Sequence, residues 1–212
     1  MFESEQKLVN AFIQNHVNKG NLIEECDFRW GNIDVVEYET NDTIFLSSNQ
    51  VKVLRNNRNL LVFSCLYRKR GLRLESISTK SGLPLCEVAR IIKKLTAMNI
   101  VLNSGNTYII NPLINFPDIK VHAYEMKQTD IRKAINQASI NQTFCDYSYI
   151  VFAHDKNQLC QKYYELLVRN GIGLILVDDN YNNVVIRARK SKKSGILLLN
   201  SKIKLIESRL NF

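Results

Sequence analysis

The chain has 212 residues, 45% apolar and 23% charged, and its 29 Lys and Arg against 20 Asp and Glu leave a formal charge of +9. Those proportions exclude a disordered or collagen-like chain, and the length can bury one large core or two small ones. No apolar run is long enough to span a bilayer, and the acidic, polar start Met1–Gln6 is unlike a signal or transit peptide, so a cytoplasmic protein with no membrane partner is expected.

Residues 4–18 predict an amphipathic helix with Leu8, Ala11 and Phe12 on one face, Ser4 as N-cap and Lys19–Gly20 as stop. Residues 21–29 and 32–39 read as two strands around a turn at Trp30–Asn32. Residues 41–56 are polar and broken, a linker holding a short strand at 43–46. An apolar helix follows at 59–70, ending in Arg68, Lys69 and Arg70. A short helix at 74–80, a tight turn at Ser81–Pro84 and a longer helix at 85–98 come next, the last with Val88, Ile91, Ile92 and Leu95 as its inner stripe. Residues 100–102 and 108–110 form a hairpin. That order of elements is the winged helix-turn-helix.

Beyond Pro112 the pattern turns α/β (α+β). Strands at 120–127, 147–153, 173–177 and 184–189 alternate with helices at 129–139, 157–170 and 196–210. A mixed sheet covered by helices on both faces is expected. The domain reading is a discontinuous core, 1–56 and 113–212, interrupted by an inserted module at 57–112. Five cysteines without a CxxC pair, far in sequence from all three histidines, give no support to a zinc site and read as reduced, buried thiols.

The chemically informative stretch is Ala123–Asp130. On a strand, Glu125 and Lys127 project from the same face. A carboxylate beside an ammonium suits phosphodiester hydrolysis: the acid shares a divalent cation with a second acid, and the ammonium offsets charge that builds on the reacting oxygens. Without context, the same pair is more often a surface ion pair.

Several segments supply that context. Tyr124–Lys127 is followed by the helix Asp130–Ala138, the aromatic strand Phe144–Val151 and Gly171–Val177, while Gly31–Val36 holds a G-x-x-D-V-V pattern. Together these resemble the PD-(D/E)xK nuclease superfamily, closely over residues 120–190 and by short motif over 1–40. The resemblance implies a restriction-endonuclease-like mixed sheet and a Mg²⁺ cofactor, with Mn²⁺ able to substitute. It also implies Asp34 and Glu125 as metal ligands, Lys127 as charge stabiliser, Gln137 as a residue facing the site and Glu5 as a further acid on the metal shell. Asp118, in a literal Pro–Asp pair, is the alternative second acid. Seven residues of continuous strand would hold it ~20 Å from Glu125, which favours Asp34.

The inserted module is expected to bind double-stranded DNA. Its third helix would enter the major groove with Arg90, Lys93 and Lys94 on the polar side, while Arg68, Lys69, Arg70, Arg73 and Lys80 meet phosphates. Glu87 on the same helix weighs against DNA and towards protein docking. The functional reading is a metal-dependent endodeoxyribonuclease of restriction or phage-defence type. It would act as a homodimer, because one active site severs one strand. The alternatives are a regulator with an inactive nuclease-like domain and a structure-specific nuclease.

Overall fold

The computed structural model describes residues 2–16, 20–28, 32–39, 46–67, 71–114, 119–192 and 195–210. In chain order the helices and strands are α1 (Glu5–Gln14), β1 (Asn21–Asp27), β2 (Asn32–Glu39), α2 (Ser48–Leu54), α3 (Asn57–Leu66), α4 (Leu74–Ser81), α5 (Leu85–Ala97), β3 (Val101–Ser104) and β4 (Thr107–Ile110). They continue with β5 (Lys120–Met126), α6 (Ile131–Asn141), β6 (Tyr147–Ala153), α7 (Asn157–Gln161), α8 (Tyr164–Asn170), β7 (Gly173–Val177), β8 (Asn182–Ile186) and α9 (Ile196–Leu210). Two compact units result: Met1–Thr40 with Ile119–Ser194, and Asn41–Asp118 with Gly195–Phe212.

The first unit is a six-stranded mixed sheet in the order β1-β2-β5-β6-β7-β8. β5, β6 and β7 run parallel, while β1 with β2, β2 with β5 and β7 with β8 pair antiparallel. The central strands are apolar on both faces, as parallel strands covered on both sides must be, and all five residues of β7 are buried. On one face, Leu8, Val9, Ala11 and Phe12 of α1 pack against Val35, Tyr124, Met126, Val151 and Val177. On the other, Ile131, Ala134 and Ala138 of α6 join Cys160 and Leu167 over Ile150, Phe152, Leu174 and Leu176. The alternating residue numbers on β5, β6 and β7 are the two faces of the pleat.

Local chemistry fixes both covering helices. Ser4 caps α1 by accepting from Lys7 N at 3.2 Å, and Asp130 caps α6 by accepting from Lys133 N at 2.9 Å. The far end of α1 is held by a buried carboxylate. Glu37, 3% exposed, accepts from Tyr124 Oη at 2.5 Å and lies 3.0 Å from His16 Nε2. Burial alone would raise the Glu37 pKa, but the His16 and Tyr124 hydrogen bonds and the nearby histidines outweigh it and bring the pKa below its ordinary value. Gly173 lies under the Tyr149 ring so closely that a Cβ would fall 2.1 Å from Tyr149 Cδ1.

The chain leaves the sheet at Glu39 and returns at Lys120, and these residues are direct partners in the β2–β5 register, with their charged groups 3.6 Å apart. An insertion whose ends already touch adds little closure entropy, so a second unit fits between paired strands without displacing them.

That second unit gathers α2 to α5, the two-stranded β3–β4 sheet and α9. Leu72 forms a bridge to Tyr108, adding a short third edge to the hairpin. Gly82 ends α4 in the left-handed region at φ 68, where glycine carries no Cβ penalty. The interior includes Val51, Leu54, Leu60, Phe63, Leu66, Ile77, Val88, Ile91, Ile92 and Leu95.

The elements differ from the sequence reading in four places. Residues 48–54 form a helix, α2, where a linker is expected, closed by a capping box between Ser47 and Gln50. The helix expected over 157–170 is two pieces, because Tyr163 leaves helical dihedrals at φ −116, ψ 6. β8 spans Asn182–Ile186 and stops short of Arg189. Helix α9, expected to close the sheet unit, packs on α2 and α3 instead, with Arg55 Nε 3.1 Å from Glu207 Oε2. Residues 43–45 of the expected short strand lie outside the described residues. Among the described residues no helix is long and apolar enough to cross a membrane.

Ile203 and Ile206 are fully buried on α9. Ile203→Ala or Ile206→Ala is expected to cost about 2–4 kcal/mol in the helical unit. Hydrogen exchange should then accelerate in α2 and α3 while β5, β6 and β7 keep their protection.

Candidate active site

The end of β5 brings together residues far apart in sequence. Period-two alternation puts Glu125 and Lys127 on one face, and Lys127 begins the loop that leads into α6. The β2–β5 register pairs Val35 with Tyr124, so Asp34 falls opposite Glu125 one step further on. Asp34 Oδ2 accepts from Met126 N at 2.7 Å, which ties its carboxylate to the strand end. Glu5 reaches the same place from the first turn of α1, which is positioned by its packing on the opposite sheet face.

Lys127 Nζ sits at the centre, 2.6 Å from Met126 O, 3.2 Å from Glu125 Oε1, 3.5 Å from Asp34 Oδ2 and 3.6 Å from Glu5 Oε2. Four oxygens therefore surround one ammonium. Exposure is graded across the acids. The Glu125 side chain is 1% exposed, that of Asp34 31% and that of Glu5 53%. Asn141 closes the inner side by donating from Nδ2 to Glu125 Oε2 at 3.3 Å. Glu125 Oε1 makes no hydrogen bond of acceptable geometry. Gln137 lies one turn before Asn141 on α6, and its Oε1 is also buried without a hydrogen-bond partner.

Burial pushes the Glu125 carboxyl up to about 7, and the Asp34 charge adds to the effect; Lys127 and Asn141 oppose it without cancelling it. For Lys127, burial pulls the pKa down, but Asp34, Glu125 and Glu5 together outweigh it and hold the ammonium above its ordinary value. Lys127 thus stays charged, and Glu125 is the group poised to exchange a proton near neutrality.

The donor set is entirely oxygen: three carboxylates and a backbone carbonyl, the chemistry of a hard divalent cation such as Mg²⁺. A buried carboxylate whose pKa stays raised even with an ammonium 3.2 Å away is a group whose ionised form gains from a further cation. The residues therefore fit such an ion in kind. Their spacing is set around Lys127, and among the described residues no three His, Cys, Asp or Glu side chains are already spaced as a ligand cluster. Seating a cation between Asp34 and Glu125 requires the Lys127 amine to move aside.

Asp34, Glu125, Lys127 and Glu5 meet at one point, while Asp118 lies outside the described residues. Two further contributors escape sequence reasoning. Asn141 has no part in the sequence-based expectations, although its i+4 spacing from Gln137 puts it on the same helix face. The Met126 carbonyl carries no signal in the sequence.

In the helical unit, Arg73, Lys80, Arg90, Lys93 and Lys94 are exposed, whereas Arg68, Lys69 and Arg70 lie outside the described residues. Arg90, Lys93 and Lys94 leave α5 on the side away from its buried Val88–Ile92–Leu95 stripe. Glu87, whose charge weighs against a polyanion, is offset by Arg58 Nη1 at 2.5 Å and Arg90 Nη2 at 3.8 Å. The α5 surface is thus more positive than its sequence suggests. No protein-family model, curated protein or solved structure matches the chain.

The Glu125 shift fixes a sign for pH dependence. Its folded pKa of about 7 exceeds the ordinary 4.5, so its contribution to stability is complete below about pH 4.5 and is lost as pH rises through 7. Thermal melts in EDTA should show that decline, and Glu125→Gln should flatten it. An unchanged slope in Glu125→Gln would contradict the assignment. Mg²⁺ should raise the melting temperature more at pH 8, where Glu125 is ionised, than at pH 6.

Proposed function

We propose that the chain is a Mg²⁺-dependent DNA endonuclease whose sheet unit is restriction-endonuclease-like and whose helical unit is a winged helix-turn-helix. The observation that carries this reading is the meeting of Asp34, Glu125 and Lys127 at the end of two paired strands, with Gln137 and Asn141 on the next helix. The resemblance to the PD-(D/E)xK superfamily gives those positions their roles. Helices α3, α4 and α5 followed by the β3–β4 hairpin, with exposed cations on α5, support duplex binding through the inserted unit.

Asp34, Glu125 and the Met126 carbonyl would hold the divalent ion, with Glu5 further out; when bound, the ion supplies Lewis-acid polarisation of a phosphoryl oxygen and acidifies water. Asn141 orients the Glu125 carboxylate by its hydrogen bond to Oε2. Lys127, freed from the carboxylates, turns its ammonium to the phosphate oxygens as negative charge builds on them. The Gln137 amide would order the attacking water. Arg73, Lys80, Arg90, Lys93 and Lys94 position the duplex through its phosphates and groove. A homodimer acting in the cytoplasm, in restriction or phage defence, completes the reading.

One observation favours a second reading. Lys127 already neutralises the carboxylates around it, as a resident cation would in a nuclease-like domain retained for DNA binding and regulation alone. The two readings part in a cleavage assay. Plasmid and linear duplex incubated with Mg²⁺ or Mn²⁺ should be nicked or cut. Asp34→Asn, Glu125→Gln and Lys127→Ala should each slow cutting by roughly 10²-fold or more while gel-shift affinity in EDTA is retained. Full cutting by Glu125→Gln removes the nuclease reading. Binding without cutting at any metal concentration selects the second.

A further inference from the structure

A cleft of about 250 Å³ opens between the end of α8 and the segment that follows β8, lined by Arg169, Arg189, Lys190 and Lys192 and by no carboxylate. It belongs to the sheet unit but lies away from the Glu125 site. Gly171, on its wall, precedes the first residue of β7, whereas Lys127 follows the last residue of β5, and these strands belong to one parallel set. The two sites therefore occupy opposite ends of the parallel strands.

The walls of the cleft are held from beneath. Arg189 N donates to Gly171 O at 3.0 Å and Ser191 N to Asp146 O at 2.7 Å. Ser191 Oγ donates to Gln142 O at 2.6 Å, and Gln142 Nε2 donates to Asn170 O at 2.8 Å. The carbonyl end of a helix repels anions, and here the Arg189 guanidinium covers it by donating to Val168 O and, at 2.9 Å, to Arg169 O. Asp146, buried beneath, lies 3.8 Å from Lys190 Nζ and accepts from Val121 N at 3.1 Å. Arg169 and Lys192 are exposed at the rim.

Four exposed cations line the cleft and one buried carboxylate, Asp146, lies beneath it, so the cleft carries a net positive charge that attracts an anion. The fixed walls mean that little ordering is needed to bind one.

We propose that this cleft is a second polyanion site, gripping the phosphodiester backbone of a nucleic acid away from the Glu125 centre and without regard to sequence. The identity of the polyanion rests on the nuclease reading; the site itself rests on the cleft. Arg169, Lys190 and Lys192 supply the phosphate contacts, and Arg189 keeps the wall in place.

The test is fluorescence anisotropy with a labelled duplex in EDTA across a salt series, using the full-length parent, Arg169→Ala/Lys192→Ala and the control Lys133→Ala/Lys162→Ala. The cleft variant should bind at least tenfold more weakly near 0.1 M salt. Its log–log salt slope should be shallower by about 1.8, roughly 0.9 for each phosphate that is no longer neutralised. The control, which removes two exposed cations elsewhere on the same unit, should bind as the parent does. Equal weakening in both variants, no weakening in the cleft variant, or no binding by the parent overturns the proposal. Inorganic phosphate that competes at concentrations matching the duplex would assign the cleft to a free anion and also overturn it. Weakened binding in the cleft variant of a parent that never cuts DNA supports the cleft while removing the nuclease reading.

Discussion

Water barely reaches Glu125, and that constraint shapes the whole end of the sheet. A carboxylate at 1% exposure beside a second acid is costly to ionise, as its raised pKa of about 7 records. The surroundings answer with an ammonium at 3.2 Å, an amide donor at 3.3 Å and a neighbouring strand whose Asp34 is pinned by a main-chain hydrogen bond. None of this geometry is local. It needs the β2–β5 register, the packing of α1 on one face and of α6 on the other, and the buried Glu37 cluster that holds the far end of α1.

The insertion is compatible with that geometry because of where it occurs. Glu39 and Lys120 face each other across the strand pair, so the chain can depart and return with no change in the register that aligns Asp34 with Glu125. A second unit adds its own core and basic surface while the sheet keeps its strand order.

Much of the architecture was legible in the sequence because it follows from simple periodicities. The 3.6-residue stripe of Val88, Ile91, Ile92 and Leu95 marked α5, and β5, β6 and β7 stood out as strands alternating with helical segments. The spacing of Glu125 and Lys127 was enough to put both on one face. Less was legible where tertiary contacts overrode the local pattern. Helix α2 has only Val51 and Leu54 buried, too little apolar periodicity to stand out from a polar linker despite its capping box. Helix α9 is apolar around much of its circumference, so its pattern does not say which core it joins. The hydrogen bond from Asn141 to Glu125 depends on how α6 lies across the sheet, and the Met126 carbonyl depends on backbone direction alone.

The central claim is that the oxygens now gathered around Lys127 form a seat for a divalent ion. Anomalous diffraction from crystals grown in Mn²⁺ tests it most directly. The account predicts a single strong peak about 2.0–2.6 Å from carboxylate oxygens of both Asp34 and Glu125, with the Lys127 amine displaced from its present position. At saturating Mn²⁺, no peak there and an ammonium still bridging the two acids would contradict it.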